Sequence, residues 1–176
     1  TYNSDKGNIA AEGLRKLVNS KSYVADSSAP GAFGSGASVA ISGTWDYADV
    51  KALLGEDMGC TKLPSYTVDG NKIQLGSFSG NKLVGVKPHT DANVATCCKR
   101  VALYLTGEKC QAARFDARAW GPSNKAVQQS PAVQANPALA ALAQQNAFAT
   151  PQGQFPDAWW NLAAAIGSSL VGKTRE

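Results

Sequence analysis

Phe33-Gly34-Ser35-Gly36-Ala37-Ser38-Val39-Ala40-Ile41-Ser42-Gly43-Thr44-Trp45 holds the key to this chain. It opens inside a small-residue stretch, Ala25–Gly36, whose Pro30, Gly31, Gly34 and Gly36 predict a loop or a short helical turn. Ala37–Ser42 then alternates and carries β-branched Val39 and Ile41, which predicts a short strand. Gly43 ends it, and Tyr47–Leu54 follows as a helix closed by Gly55. Trp45 therefore stands between a strand end and a helix start, where its ring can project into a cleft instead of a core. Trp160, in Pro156-Asp157-Ala158-Trp159-Trp160-Asn161, opens another helical stretch. Flat aromatic faces at such positions suit the apolar faces of sugar rings, whose C–H groups are drawn to the π cloud.

Working outward, Asn8–Asn19 carries Ile9, Leu14, Leu17 and Val18 and predicts a helix. Gly59–Leu63 predicts a strand stopped at Pro64, and the polar stretch Ser65–Gly80 holds Asp69-Gly70, set for a tight hairpin. Lys82–Val86 predicts a further strand. In Asp91–Leu105, the residues Val94, Cys97, Cys98, Val101, Ala102 and Leu105 form one helical stripe, and Glu108–Arg118 predicts a second helix. Ala119–Ser123, which holds Trp120, is an irregular joint. Short helices punctuated by Pro131, Pro137 and Pro151 follow, and a last helix runs from about Pro156 to Leu170. This order is α/β, helix-rich with a few short strands, too few for a complete doubly wound sheet. The deficit implies that partner strands come from sequence outside this chain.

The 176 residues are 44% hydrophobic and 17% charged, the balance of a folded globular protein or a piece of one. The net charge of +4 is scattered, and neither Lys99-Arg100 nor Lys173-Thr174-Arg175 interleaves with aromatics, so no nucleic-acid partner is expected. No apolar run reaches the length of a membrane span, and no leader pattern is visible. Cys60, Cys97, Cys98 and Cys110 are too few for a disulfide scaffold and lack zinc spacing. Cys97 and Cys98 are expected to be small core residues. A disulfide from Cys110 to either of them stays open for an exported chain.

Several motifs fail on context. Gly167-Ser168-Ser169-Leu170-Val171-Gly172-Lys173-Thr174 fits the phosphate-loop pattern, but a helix precedes it and only two residues follow. No helix N-terminus is left to hold a phosphate, so no nucleotide is expected. Gly31-Ala32-Phe33-Gly34-Ser35-Gly36 leads into a predicted strand and lacks the dinucleotide order. Gly76-Ser77-Phe78-Ser79-Gly80 places Phe where a nucleophile elbow needs Ser. His89, the sole histidine, reads as a turn residue, and Asp46, Asp49, Glu56 and Asp57 read as acids complementing helix N-termini. An α/β hydrolase-type enzyme using His89 or those carboxylates is the alternative function, and a helical protein-interaction module is a third. Trp159 and Trp160 lie about 100° apart on a helix and are expected not to share one core or one cleft. Trp159 shares a stripe with Leu162, Ile166 and Leu170, which favours Trp159 as core and Trp160 as the outlier, although core packing is the ordinary role of any tryptophan. Trp120 either packs the joint or walls a cleft. No cofactor or metal is expected.

The stretch from Phe33 to Trp45 resembles the segment Phe-x-x-Gly-x-Ala-x-(Met/Val)-x-Ile-x-Gly-x-Trp of bacterial extracellular solute-binding proteins, the sugar and maltodextrin receptors of ATP-binding-cassette (ABC) importers. The order continues through Lys62-Leu63-Pro64, Leu83-Val84-Gly85-Val86, the helices of Asp91–Arg118, the joint Trp120-Gly121-Pro122-Ser123-Asn124 and the Trp159-Trp160 helix. The resemblance implies a periplasmic-binding-protein-like fold of type II, of which this chain is the C-terminal part. Residues 1–63 and 120–176 would belong to the second lobe, and residues 64–119 would cross to the first. It further implies a non-catalytic receptor for a carbohydrate, possibly maltodextrin-like, with the membrane subunits of an ABC importer as partner. The location it implies is extracellular or periplasmic, with anchoring through a lipid on a missing N-terminal part. By position, Trp45 and Trp160 are similar to the aromatic stackers of the maltodextrin receptors. Asn161 stands where those receptors often place another aromatic, and Asp46 and Trp120 complete the implied ligand-binding set.

Overall fold

A computed structural model describes residues 4–68 and 70–170. Two compact units emerge. One gathers the residues up to Ile41, Leu63–Ser79 and those from Phe148 onward, and the other gathers Ser42–Lys62 and Gly80–Ala147.

In the first unit, α1 (Asp5–Val18) begins at Ser4, whose hydroxyl accepts the Gly7 N–H at 3.1 Å and satisfies a donor that the helix cannot. Arg15 and Glu12 form a two-bonded ion pair one turn apart, at 2.7 and 3.0 Å. The short helix α2 (Ala29–Gly34) is capped by Ser28 and supplies the buried residues Ala29 and Ala32. The predicted hairpin is present: β1 (Ser65–Val68) pairs antiparallel with β2 (Asn71–Gln74), with two residues between the Val68–Asn71 pair. Gly70, at φ 78°, supplies the left-handed conformation such a turn demands. The pairing of β3 (Ser77–Ser79) with β4 (Ala149–Pro151) in parallel is unexpected. The last helix, α9 (Asp157–Leu170), is tied to α1 by Asn19, whose Nδ2 donates to the Leu170 carbonyl at 3.0 Å.

In the second unit, a single 3-10 turn, Thr44–Asp46, leads into α3 (Tyr47–Leu54), closed by Gly55 at φ 57°. The helices α4 (Ala92–Thr106) and α5 (Glu108–Arg118) follow an irregular stretch. The series α6 (Lys125–Gln128), α7 (Pro131–Gln134) and α8 (Pro137–Gln145) completes the unit. Asp91 caps α4, Asn124 caps α6 and Asn136 caps α8, each through its side-chain oxygen. Pro131 and Pro137 open their helices, where the missing N–H is no loss. The core of this unit is Val50, Val127, Val133 and Ala141 with the polar Asn136 and Gln145.

Three predicted strands do not form. Ala37–Ser42, Gly59–Leu63 and Lys82–Val86 carry no strand assignment. An extended segment becomes a strand only when a neighbour completes its ladder. Among the described residues none does so here, and Val39 (81%), Ile41 (58%) and Leu83 (88%) are left exposed. The stripe on α4 meets the same fate: the helix forms as predicted, but none of its residues is buried. Cys97 is exposed and Cys98 half-buried, so neither is a core residue. All four cysteines are free thiols, and the Cys110 disulfide left open by the sequence is not made.

Because Asn136 is buried while its Oδ1 accepts the Leu139 N–H at 3.0 Å, Asn136→Ala is expected to lower stability by about 1–2 kcal/mol. Urea unfolding checks this, and Asn136→Asp, which keeps the capping oxygen, is expected to recover most of the loss.

Candidate ligand-binding groove

A groove of about 730 Å³ lies in the second unit, lined by Trp45, Leu105, Cys110, Ala113, Arg114, Ala117, Arg118 and Trp120. Its floor follows from the sequence of α5. Cys110, Ala113, Arg114 and Ala117 recur at helical spacing on one face, and three of the four are small. Small residues there leave room between the two tryptophan walls. Arg114 Nη2 donates to the Leu105 carbonyl at 2.6 Å and satisfies an end of α4.

Each wall has a local cause. Trp45 is 70% exposed, and its ring folds back over the backbone of Gly43. A Cβ at position 43 would collide with Trp45 ring atoms Cζ3, Cη2 and Cε3. The Gly-x-Trp spacing is thus steric: only glycine leaves the ring this seat. Ser42 donates its hydroxyl to Asp46 Oδ2 and ties off the same turn. Trp120 is 45% exposed and follows Ala119, the one non-glycine described residue at positive φ (53°), whose N–H closes α5 onto the Phe115 carbonyl at 2.7 Å.

Of the five residues expected at a ligand site, the groove brings together Trp45 and Trp120, with Asp46 on the turn beside Trp45. Trp160 and exposed Asn161 belong to the first unit. There Trp160 packs edge-on against Phe78 at 4.7 Å and against Trp159 at 4.8 Å, between ring centroids. Phe78 also meets Trp159 at 5.4 Å and Phe155 at 5.1 Å. The expectation that Trp159 and Trp160 could not share one cluster is therefore corrected. Indole rings reach far enough from the helix axis for two neighbours 100° apart to flank a third ring. Leu162, expected on the Trp159 stripe, is 63% exposed.

Glu56 pairs with Lys51 at 3.0 Å, and His89 Nε2 lies 3.8 Å from Cys98 Sγ. Among the described residues, no three His, Cys, Asp or Glu side chains are grouped to hold a metal ion. No described helix is long and apolar enough to cross a membrane. The Gly172-Lys173-Thr174 end of the phosphate-loop pattern lies outside the described residues. The sequence reading missed the floor residues Ala113 and Ala117, for which the i, i+4 spacing of alanines on α5 was the available signal.

The open groove thus has two tryptophans and a row of small residues in its lining. The sequence profile of the bacterial extracellular solute-binding proteins matches residues 2–141, and the chain belongs to that family. No curated protein matches it. Among solved structures, one with acarbose is 28% identical, with a TM-score of 0.84 over 99% of this chain and 47% of that one. The maltodextrin binding protein MalE1 from L. casei BL23, without ligand, is 23% identical at a TM-score of 0.78, over 97% of this chain and 47% of that one. The maltose-maltodextrin binding protein of the thermoacidophilic bacterium Alicyclobacillus acidocaldarius is 23% identical at 0.70, over 98% and 48%. The fold is thus periplasmic-binding-protein-like, and the chain spans about half the length of these relatives.

Gly43→Ala is expected to unseat the Trp45 ring and change the near-ultraviolet dichroism of tryptophan, whereas Gly34→Ala, with open space around it, leaves the spectrum unchanged. Burial pushes the Cys60 thiol above its ordinary pKa, so its thiolate is scarcer. At neutral pH Cys60 is expected to be alkylated more slowly than exposed Cys97, as read by mass-resolved iodoacetamide labelling, with the gap narrowing as pH rises.

Proposed function

We propose that this chain is the C-terminal part of an extracellular or periplasmic receptor that binds a carbohydrate of the maltodextrin type for an ABC importer, without chemical change to the ligand. The observation that carries the reading is the pairing of Trp45 and Trp120 across one groove over the alanine floor of α5. Exposed indole faces take the apolar faces of sugar rings, and hydroxyls at the ring edges find polar groups such as Asp46. Stacking with a few such hydrogen bonds gives micromolar affinity, about −8 kcal/mol. Family membership and the sugars named for the three similar structures support the ligand class. Trp160 and Asn161, at the start of α9, are proposed to contribute a second contact surface.

In this reading residues 1–63 and 120–176 belong to one lobe and residues 64–119 cross to the other, which the missing half completes. That division differs from the contact units, which reflect only the neighbours this chain can give itself. Closure of the lobes over the sugar would present a joint surface to the importer's membrane subunits, a hinge-type switch. A lipid on the missing N-terminal part would anchor the receptor.

Fluorescence titration of the full-length receptor with maltose, maltotriose and maltotetraose tests the reading. A saturable change is expected, with Trp45→Ala and Trp120→Ala each weakening binding at least tenfold. Unchanged affinity in the double variant would overturn it.

A further inference from the structure

We propose that Gln111 is the positioning residue that sets Trp120 in the groove wall, an inference that rests on reading this groove as the ligand site. Gln111 is in the second turn of α5 and does not itself line the groove. Its amide nevertheless makes four contacts. Oε1 accepts the Ser123 N–H at 2.7 Å, the Asn124 N–H at 2.8 Å and the Ser123 hydroxyl at 3.3 Å. Nε2 donates to the Thr106 carbonyl at 2.5 Å.

The contacts fix more than the side chain. Two successive backbone N–H groups converge on one oxygen, while the nitrogen is held by a carbonyl at the end of α4. Only one of the two amide orientations meets both demands, since the flipped form would face N–H against N–H. Glutamate would keep the acceptor and lose the donor to Thr106, and asparagine is one methylene short. Gln111 thereby pins the far end of the segment carrying Trp120.

The near end is pinned by Ala119, in its left-handed conformation and bonded to Phe115. Between the two pins lie Trp120, Gly121 and Pro122. Pro122 is buried, and its carbonyl accepts from Gln128 Nε2 at 2.9 Å. A Cβ on Gly121 would come within 3.1 Å of Leu139 Cδ2, so α8 presses on the same segment. The backbone that aims the Trp120 ring is thus held from both sides, and Gln111 supplies a side-chain tie from α5, the helix that floors the groove, to the far end of the segment. A ring positioned from the floor helix keeps its spacing to that floor.

The test labels the full-length protein with 5-fluorotryptophan and assigns the Trp120 resonance by its loss in Trp120→Phe. In Gln111→Met, which keeps the stem and loses every hydrogen bond, the Trp120 resonance is expected to shift or broaden while those of Trp45, Trp159 and Trp160 stay in place. Affinity for maltotetraose is expected to fall at least fivefold in the same variant, and Gln111→Glu is expected to restore most of both. Gln111→Ala serves if the Met variant does not fold. A Trp120 resonance that superimposes on the wild type in Gln111→Met, or in Gln111→Ala where that variant serves, would overturn the proposal. A moved resonance in a protein that binds no maltotetraose, maltotriose or maltose would support the positioning role and count against the sugar reading alone.

Discussion

A strand exists only where another strand completes its hydrogen bonds, and that requirement shapes this molecule throughout. Ala37–Ser42, Gly59–Leu63 and Lys82–Val86 have the composition of strands and run without ladder partners among the described residues. Helices satisfy their own backbone groups, so they form regardless. The result is a chain with well-capped helices, a few small buried residues, and apolar side chains such as Val39, Leu83 and Leu103 left to solvent. In the reading proposed above, the other half of the receptor supplies the missing ladder. The exposed stripe of α4 would then be a half-interface, correct in pattern and without its cover.

Against that background the groove is self-sufficient. Its lining comes from one unit, with Gly43 under the Trp45 ring, Ala119 directly before Trp120, and the Gln111 amide on Ser123 and Asn124 just after it. The α5 helix serves twice. One of its faces offers Cys110, Ala113 and Ala117 to the groove, while Gln111 and Arg114 close the C-terminal carbonyls of α4. Satisfying a helix end and shaping a binding surface are here the work of neighbouring residues on one turn.

What the sequence made legible follows from range. Helix positions and caps are local signals, and Asp91, Asn124 and Asn136 all stand where a 3.6-residue pattern begins. The Asp69-Gly70 turn is equally local, and its hairpin is found. The β3–β4 pair could not be read this way, since it joins distant segments of three residues, one containing Pro151, which normally marks a break. Trp45 stood out as a candidate because it stands between an expected strand end and a helix start, and Trp120 because it lies in an irregular joint, whereas Gln111 looks like any polar helix residue until its partners are in view. The Trp159-Trp160 pair shows the opposite failure: a helical-wheel argument from Cα directions did not reckon with ring size or with Phe78 arriving from β3.

The parallel pairing of β3 with β4 also has a consequence in time. Ser77 finds its partner Ala149 about seventy residues later in the chain. At a synthesis rate of about 5–20 residues per second, β3 leaves the ribosome roughly 4–14 s before its neighbour exists. Throughout that interval an edge carrying Phe78 is uncovered, and the aromatic cluster of the first unit cannot assemble. The emerging polypeptide therefore passes through a window in which a holdase has something definite to grip, and the window shuts only when the last helix has been made.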